Sequence, residues 1–166
     1  MNKIISSFSP FLEVVNMYNR ALVATDGSDN AWRAINKVID LAKGGAIGEV
    51  VVFYSISHKM LSEGESEQLF MSAEEREEIL EKLRVAGNLL LQKTAAAFEA
   101  ENIFVEVRLI TDKFPEEYII EEAYGDLFDL VVLGSTGAHS KIREVFLGSV
   151  PTRVLHKVKC DVLVIR

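Results

Sequence analysis

A chain of 166 residues, 49% of them apolar, fits one domain with a core of its own and leaves no room for two comfortable ones. Its formal charge of −7, from 25 acidic against 18 basic residues, argues against general binding to nucleic acid or an anionic membrane. The thin basic grouping of Lys141, Arg143, Arg153, His156 and Lys157 does not reverse that balance. The single cysteine, Cys160, excludes an intrachain disulfide and suits the reducing cytoplasm.

Residues 1–16 read as an N-terminal extension, and 17–166 as the domain proper. The extension carries Ile4, Ile5, Phe8, Phe11, Leu12, Val14 and Val15, interrupted by serines, Pro10 and Glu13. It has neither the unbroken apolar stretch nor the cleavage site of a signal peptide. No stretch of the chain reaches the roughly 18 apolar residues that a membrane span requires. The extension is expected to pack its apolar side on the domain or on a neighbouring subunit. A membrane-surface or partner-binding helix, or a natural start at Met17, are the alternatives.

The first strand is expected over residues 20–25, ending in the polar turn Asp26-Gly27-Ser28-Asp29. Apolar residues at helical spacing follow from Ala31 to Ala42, with Ser28 or Asp29 as N-cap and Gly44-Gly45 as the stop. The lone Trp32 on this helix reads as packing. Residues 49–56 are almost continuously apolar, as in a strand covered on both faces. After a polar linker over 58–72, the longest helix is expected at 73–101, its early glutamates facing the positive end of the helix dipole. A third strand is expected at 104–110 and a helix from Pro115 to Tyr124. A fourth strand at 127–133, a glycine-containing loop, a helix at 143–158 and a last strand at 161–165 complete the chain. Cys160, just before that strand, reads as a small core residue rather than a nucleophile.

Such an alternation implies an α/β domain with an open parallel sheet and helices on both faces. Right-handed crossovers leave strand orders 2-1-3-4-5 or 3-2-1-4-5 as the common solutions. In the second, the ligand crevice lies beyond the carboxyl ends of strands one and four. Those strands are followed by Asp26 and Gly134, so topology and polar residues select one place.

Gly134-Ser135-Thr136-Gly137, and later Gly148-Ser149-Val150, suit a phosphate cradle of backbone amides and hydroxyls, to which Lys141 adds a charge. A tight strand-to-helix turn accounts for the same glycines. Asp26 is placed to accept hydrogen bonds from ribose hydroxyls or base N–H groups, or else to cap the following helix. A P-loop, a Gly-x-Gly-x-x-Gly fingerprint, a Gly-x-Ser-x-Gly elbow and metal-ligand spacing among His58, His139 and His156 are all missing.

Several segments resemble the universal stress protein family. Leu22-Val23-Ala24-Thr25-Asp26-Gly27-Ser28 followed by Ala31 is similar to that family's opening strand and turn. Leu130 to Gly137 together with Phe146-Leu147-Gly148-Ser149-Val150 is similar to its nucleotide loop, and Asp161 to Arg166 to its closing strand. The resemblance implies an open five-stranded sheet, Rossmann-like and ordered 3-2-1-4-5. It also implies a homodimer, and members that either bind ATP or do not. Carried over position by position, Ala24, Thr25, Asp26, Ser55 and Leu133 would surround adenine and ribose. Gly134, Gly137, Gly148, Ser149 and Val150 would hold ribose and phosphates. The chain departs from the Gly-x2-Gly-x9-Gly-Ser/Thr pattern, with ten residues between Gly137 and Gly148. It also has Ser55 where the family commonly has an apolar residue, and Thr111-Asp112 where a glycine is frequent.

The expected function is that of a cytoplasmic, ATP- or AMP-binding stress or signalling protein, with an unknown protein partner and no nucleic acid or membrane. No general base with a nucleophile is evident, so at most slow ATP hydrolysis is expected, with Mg or Mn held by the phosphates. The alternative is a nucleotide-free interaction module of the same fold. A phosphatase or adenylyl hydrolase is a weaker reading, and a phosphoreceiver domain weaker still. The short, β-branched closing strand, expected at a sheet edge, supplies the rationale for pairing two copies.

Overall fold

A computed structural model describes residues 16–56, 72–125, 127–136 and 147–166. Its elements run β1 (Tyr18–Ala24), α1 (Asp29–Lys43), β2 (Ile47–Ser55), α2 (Ala73–Glu99), β3 (Glu106–Ile110), α3 (Pro115–Tyr124), β4 (Leu130–Gly134), α4 (Ser149–Lys157) and β5 (Asp161–Ile165). All strand pairs are parallel and the sheet order is β3-β2-β1-β4-β5, one of the two orders open to the sequence and the one implied by the family resemblance. Strand β1 is central, pairing Leu22 with Val51 on one side and with Val131 on the other.

The helices start where short polar side chains replace missing backbone partners. The Ser28 hydroxyl accepts the Ala31 amide at 3.2 Å and so caps α1, which leaves Asp29 as its first residue. Ser72 and Glu75 exchange side-chain and backbone bonds in a capping box that opens α2. Pro115 sits at the first helical position of α3, where its missing N–H costs nothing.

Alternation along the strands sends apolar residues to two layers. Ala21, Val23, Val50, Val52 and Val132 pack with Ala34, Ile35 and Val38 of α1 and with Leu91 and Phe98 of α2. Leu22, Val51, Phe53, Val131 and Leu133 pack on the other face with Tyr118 and Ile119 of α3 and Val154 of α4. Each fully buried Val, Leu or Phe contributes about 1.5–3 kcal/mol relative to exposure. Trp32 is half-buried against the first layer, as expected of packing, and Lys93 lies over its ring at 4.9 Å. Cys160 is half-buried against the second.

Several boundaries differ from the sequence pattern, among them the starts of β2 at Ile47 rather than 49 and of β3 at Glu106 rather than 104. Strand β1 begins two residues early, because Tyr18 pairs in register with Ile47. Strand β4 begins only at Leu130. Just before it, the Asp129 carboxylate accepts the amides of Asn19 at 2.7 Å and Arg20 at 2.9 Å, making a side-chain link where a longer strand would make a ladder. The last helix was expected from residue 143; residues 143–146 lie outside the described residues, and the described helix starts at Ser149. The extension up to residue 15 and most of the 58–72 linker also lie outside them.

Candidate functional site

The polar turn after β1 and the loop after β4 meet because the two strands are neighbours. Gly27 takes φ +76° in that turn, a backbone that a side chain rarely adopts. The Asp26 carboxylate accepts the Ser28 amide at 3.0 Å, an Asx-type link that orders the turn while Ser28 does the capping. Gly134 ends β4 directly against the start of α1. A Cβ built there would lie 3.0 Å from the Ala31 nitrogen and 3.0 Å from the Asn30 carbonyl carbon. A larger residue there would therefore press on the backbone of α1, which would have to give by a few tenths of an ångström, so the glycine has a packing role whatever it does for a ligand.

Beyond these strand ends lies a cleft of about 510 Å³. Ala24, Thr25, Asp26 and Ser55 line it from β1 and β2, and Leu133 and Gly134 from β4. Gly148, Ser149 and Val150 line it from the start of α4. The structure thus brings nine of the sequence-selected residues together; Gly137, the tenth, lies outside the described residues, as do Lys141 and His139.

The cleft favours anions. The first turns of α1, α3 and α4 all border it, through Ser28 and Ala31, Pro115, and Ser149 to Pro151. The positive ends of three helix dipoles therefore converge there. Gly148 caps α4 without a side-chain hydrogen bond, and its own amide donates to the Ser135 carbonyl at 2.8 Å. That bond folds the two ends of the loop onto each other.

Tyr54 and Phe53 add an aromatic wall. Burial, helped by the nearby Asp26 carboxylate, pushes the Tyr54 phenol above its ordinary range, so it remains a neutral hydroxyl. The Ser55 hydroxyl donates to the Lys113 carbonyl, which turns its proton away from the cleft and toward the chain leading into α3.

Asn30 was among the residues with no functional signal in the sequence. The Asn30 side-chain amide donates to the Thr136 hydroxyl at 2.7 Å and to the Ser135 hydroxyl at 3.3 Å, tying α1 to the loop after β4. Its only sequence signal is an amide side chain in a first helical turn, close behind the Asp26 motif. Among the described residues, no three His, Cys, Asp or Glu side chains gather to hold a metal, and no helix is long and apolar enough to cross a membrane.

The sequence profile described as the Universal stress protein family matches residues 17–166. Universal stress protein MJ0531 of Methanocaldococcus jannaschii is 29% identical over 152 residues, covering 91% of this chain and 84% of the relative. A universal stress protein of Thermus aquaticus is 31% identical over 153 residues, covering 90% of this chain and 100% of the relative. Among solved structures, UspA of Lactobacillus plantarum superposes with a TM-score of 0.74 at 24% identity, covering 90% of this chain and 98% of that one. Three further neighbours were solved with nucleotides. One universal stress protein holds cAMP (TM-score 0.62, 21% identity, 90% and 97% covered). One from Archaeoglobus fulgidus holds dAMP (0.56, 22%, 90% and 99%), and one from Arabidopsis thaliana holds AMP (0.59, 15%, 89% and 90%).

Proposed function

This chain belongs to the universal stress protein family, and from that premise we propose that it binds ATP or AMP in the cleft at the carboxyl ends of β1 and β4. The observation that carries the reading is the convergence of three helix N-termini on a cleft lined by Asp26, Gly148, Ser149 and Val150. Thr25, Asp26, Ala24, Ser55 and Leu133 take the adenosine, while Gly134, Gly137, Gly148, Ser149 and Val150 take ribose and phosphates. A few charge-assisted bonds of about 1.5–3 kcal/mol each support micromolar binding. With ATP, a divalent ion such as Mg or Mn rides on the phosphates. The family's nucleotide-bearing neighbours support this assignment.

The biological reading is a cytoplasmic stress or signalling protein whose nucleotide state biases a partner. Strand β5 forms one outer edge of the sheet, and we propose that two copies pair there as a homodimer. A monomer by sedimentation at micromolar concentration would contradict the pairing.

Purification without added ligand, denaturation, and mass spectrometry of the released small molecules test the central claim. ATP, ADP or AMP near stoichiometry supports it. An empty protein that also gives no heat with Mg-ATP or AMP overturns it. That result would favour the second reading, a nucleotide-free interaction module, for which the ten-residue spacing between Gly137 and Gly148 already argues.

A further inference from the structure

The opposite end of the sheet carries a second depression, about 660 Å³ in volume. Met17 and Tyr18 border it at the start of β1, Tyr124 at the end of α3, and Phe128 before β4. Ala123, with Val158 and Cys160 between α4 and β5, adds to its apolar lining, and Asp129, Lys159 and Asp161 give it charged groups. Met17 is 74% exposed and Tyr124 72%, with Leu127 nearby in sequence also exposed. Exposed apolar side chains clustered in this way mark a contact surface rather than a solvated one.

We propose that residues 1–15 of the same chain cover this groove. The chain emerges at the groove itself: Met17 is part of the lining, so Val15 is two links away. The segment also has the matching chemistry. Ile4, Ile5, Phe8, Phe11, Leu12, Val14 and Val15 are apolar, and its only charged side chains are Lys3 and Glu13. Fifteen residues reach far more than the width of the groove, at up to about 3.3 Å per residue when extended. Tethering sets the choice of occupant. A segment joined to the rim acts at an effective concentration on the order of millimolar, which a separate molecule must match by free concentration. Asp129, Asp161 and Lys159 also line this end, so each charge of the segment, Lys3 and Glu13, has a side chain of opposite sign within the groove.

Cys160 is the chain's only cysteine and lies in the groove, so it reports on the cover directly. The full-length protein would be alkylated with iodoacetamide beside a full-length variant carrying Phe8→Ser, Phe11→Ser and Leu12→Ser. The expected result is a rate roughly tenfold higher in the variant, since thiol reactivity follows exposure. Equal rates, with both proteins folded by circular dichroism, would overturn the proposal. As a second measurement, single cysteines replacing Ile5, Phe8, Phe11 or Leu12 would be oxidised in dilute solution. A disulfide to Cys160 within one chain is expected for at least one of them. Disulfides formed only between chains, or none at any of the four positions, would overturn cover by the chain's own segment.

Discussion

The two ends of the sheet are built from the same five strands and have opposite character. At the carboxyl end, α1, α3 and α4 begin, the connections are glycine- and hydroxyl-rich, and the cleft is positive through its backbone. At the amino end, α3 and α4 finish, Asp129 and Asp161 line the depression, and large apolar side chains stand exposed. The difference follows from parallel strands. Every crossover helix must run back against the strands, so all helix N-termini gather at one end and all C-termini at the other. An anionic ligand therefore has one electrostatically favourable end, while the other carries exposed apolar side chains and carboxylate links.

The largest expected effect removes the contrast altogether. Phe53 is fully buried, lines the cleft, and meets Tyr118 edge-on at 4.7 Å. Phe53→Ala should cost about 3–5 kcal/mol in urea unfolding. Nucleotide binding and shielding of Cys160 should then be lost at one urea concentration if both ends form one cooperative unit.

Asp26→Ala should sharpen the contrast. It removes a carboxylate from the cleft rim, and calorimetry should show the dissociation constant for ATP or AMP rising roughly 10- to 100-fold, the equivalent of one hydrogen bond to a charged group. Unchanged affinity would place the nucleotide elsewhere. Gly134→Val is a poorer probe, because its Cβ would press on the backbone of Asn30 and Ala31 and confound affinity with packing.

Asp129→Asn is the mirror experiment at the amino end: stability should fall by about 1 kcal/mol and nucleotide affinity should not change. Burial works against the Asp129 charge, but the amides of Arg20 and Asn19 and the Asn19 side chain outweigh it and hold the carboxyl below its ordinary value. Its contribution is thus fully present above the unfolded-state value near about 4, and is lost as pH falls through the lower folded value. The stability gap between wild type and variant, read from urea curves, should be flat near neutrality and close in acid.

Asn30→Ala should act more mildly, costing about 0.5–1.5 kcal/mol and weakening nucleotide binding a few-fold through a looser loop after β4. Lys82→Ala, on an exposed face of α2 where Lys82 pairs with Glu78 at 2.7 Å, should change stability by no more than about 0.5 kcal/mol and affect neither end.

Much of the fold was legible along the chain, and the limits are instructive. Ser28 and Ser72 could be read as caps because a cap is a local bargain between a hydroxyl and an amide a few residues on. The apolar run from Val50 to Phe53 announced a covered strand for the same local reason. The start of β4 was misjudged because Leu127 and Phe128 are apolar enough for a strand, while the deciding carboxylate bonds from Asp129 reach Asn19 and Arg20, about a hundred residues away. In the cleft, Asp26, Gly134 and Gly148 stood out by residue type. Tyr54, Pro115 and Asn30 did not, since nothing in their neighbourhoods says that β2 ends, and α3 and α1 begin, around one space.

By itself, the sequence determined which segments are strands and helices, that they form one α/β domain, and that polar turns follow β1 and β4, because periodicity and capping act over a few residues. Family likeness added the strand order and named the nucleotide loop. Only the tertiary structure decided that Gly134 packs tightly on the start of α1, that Asn30 ties the loop down, and that a groove opens beside Met17. These depend on distances between segments far apart in the chain, and such distances come into being only when the sheet is assembled.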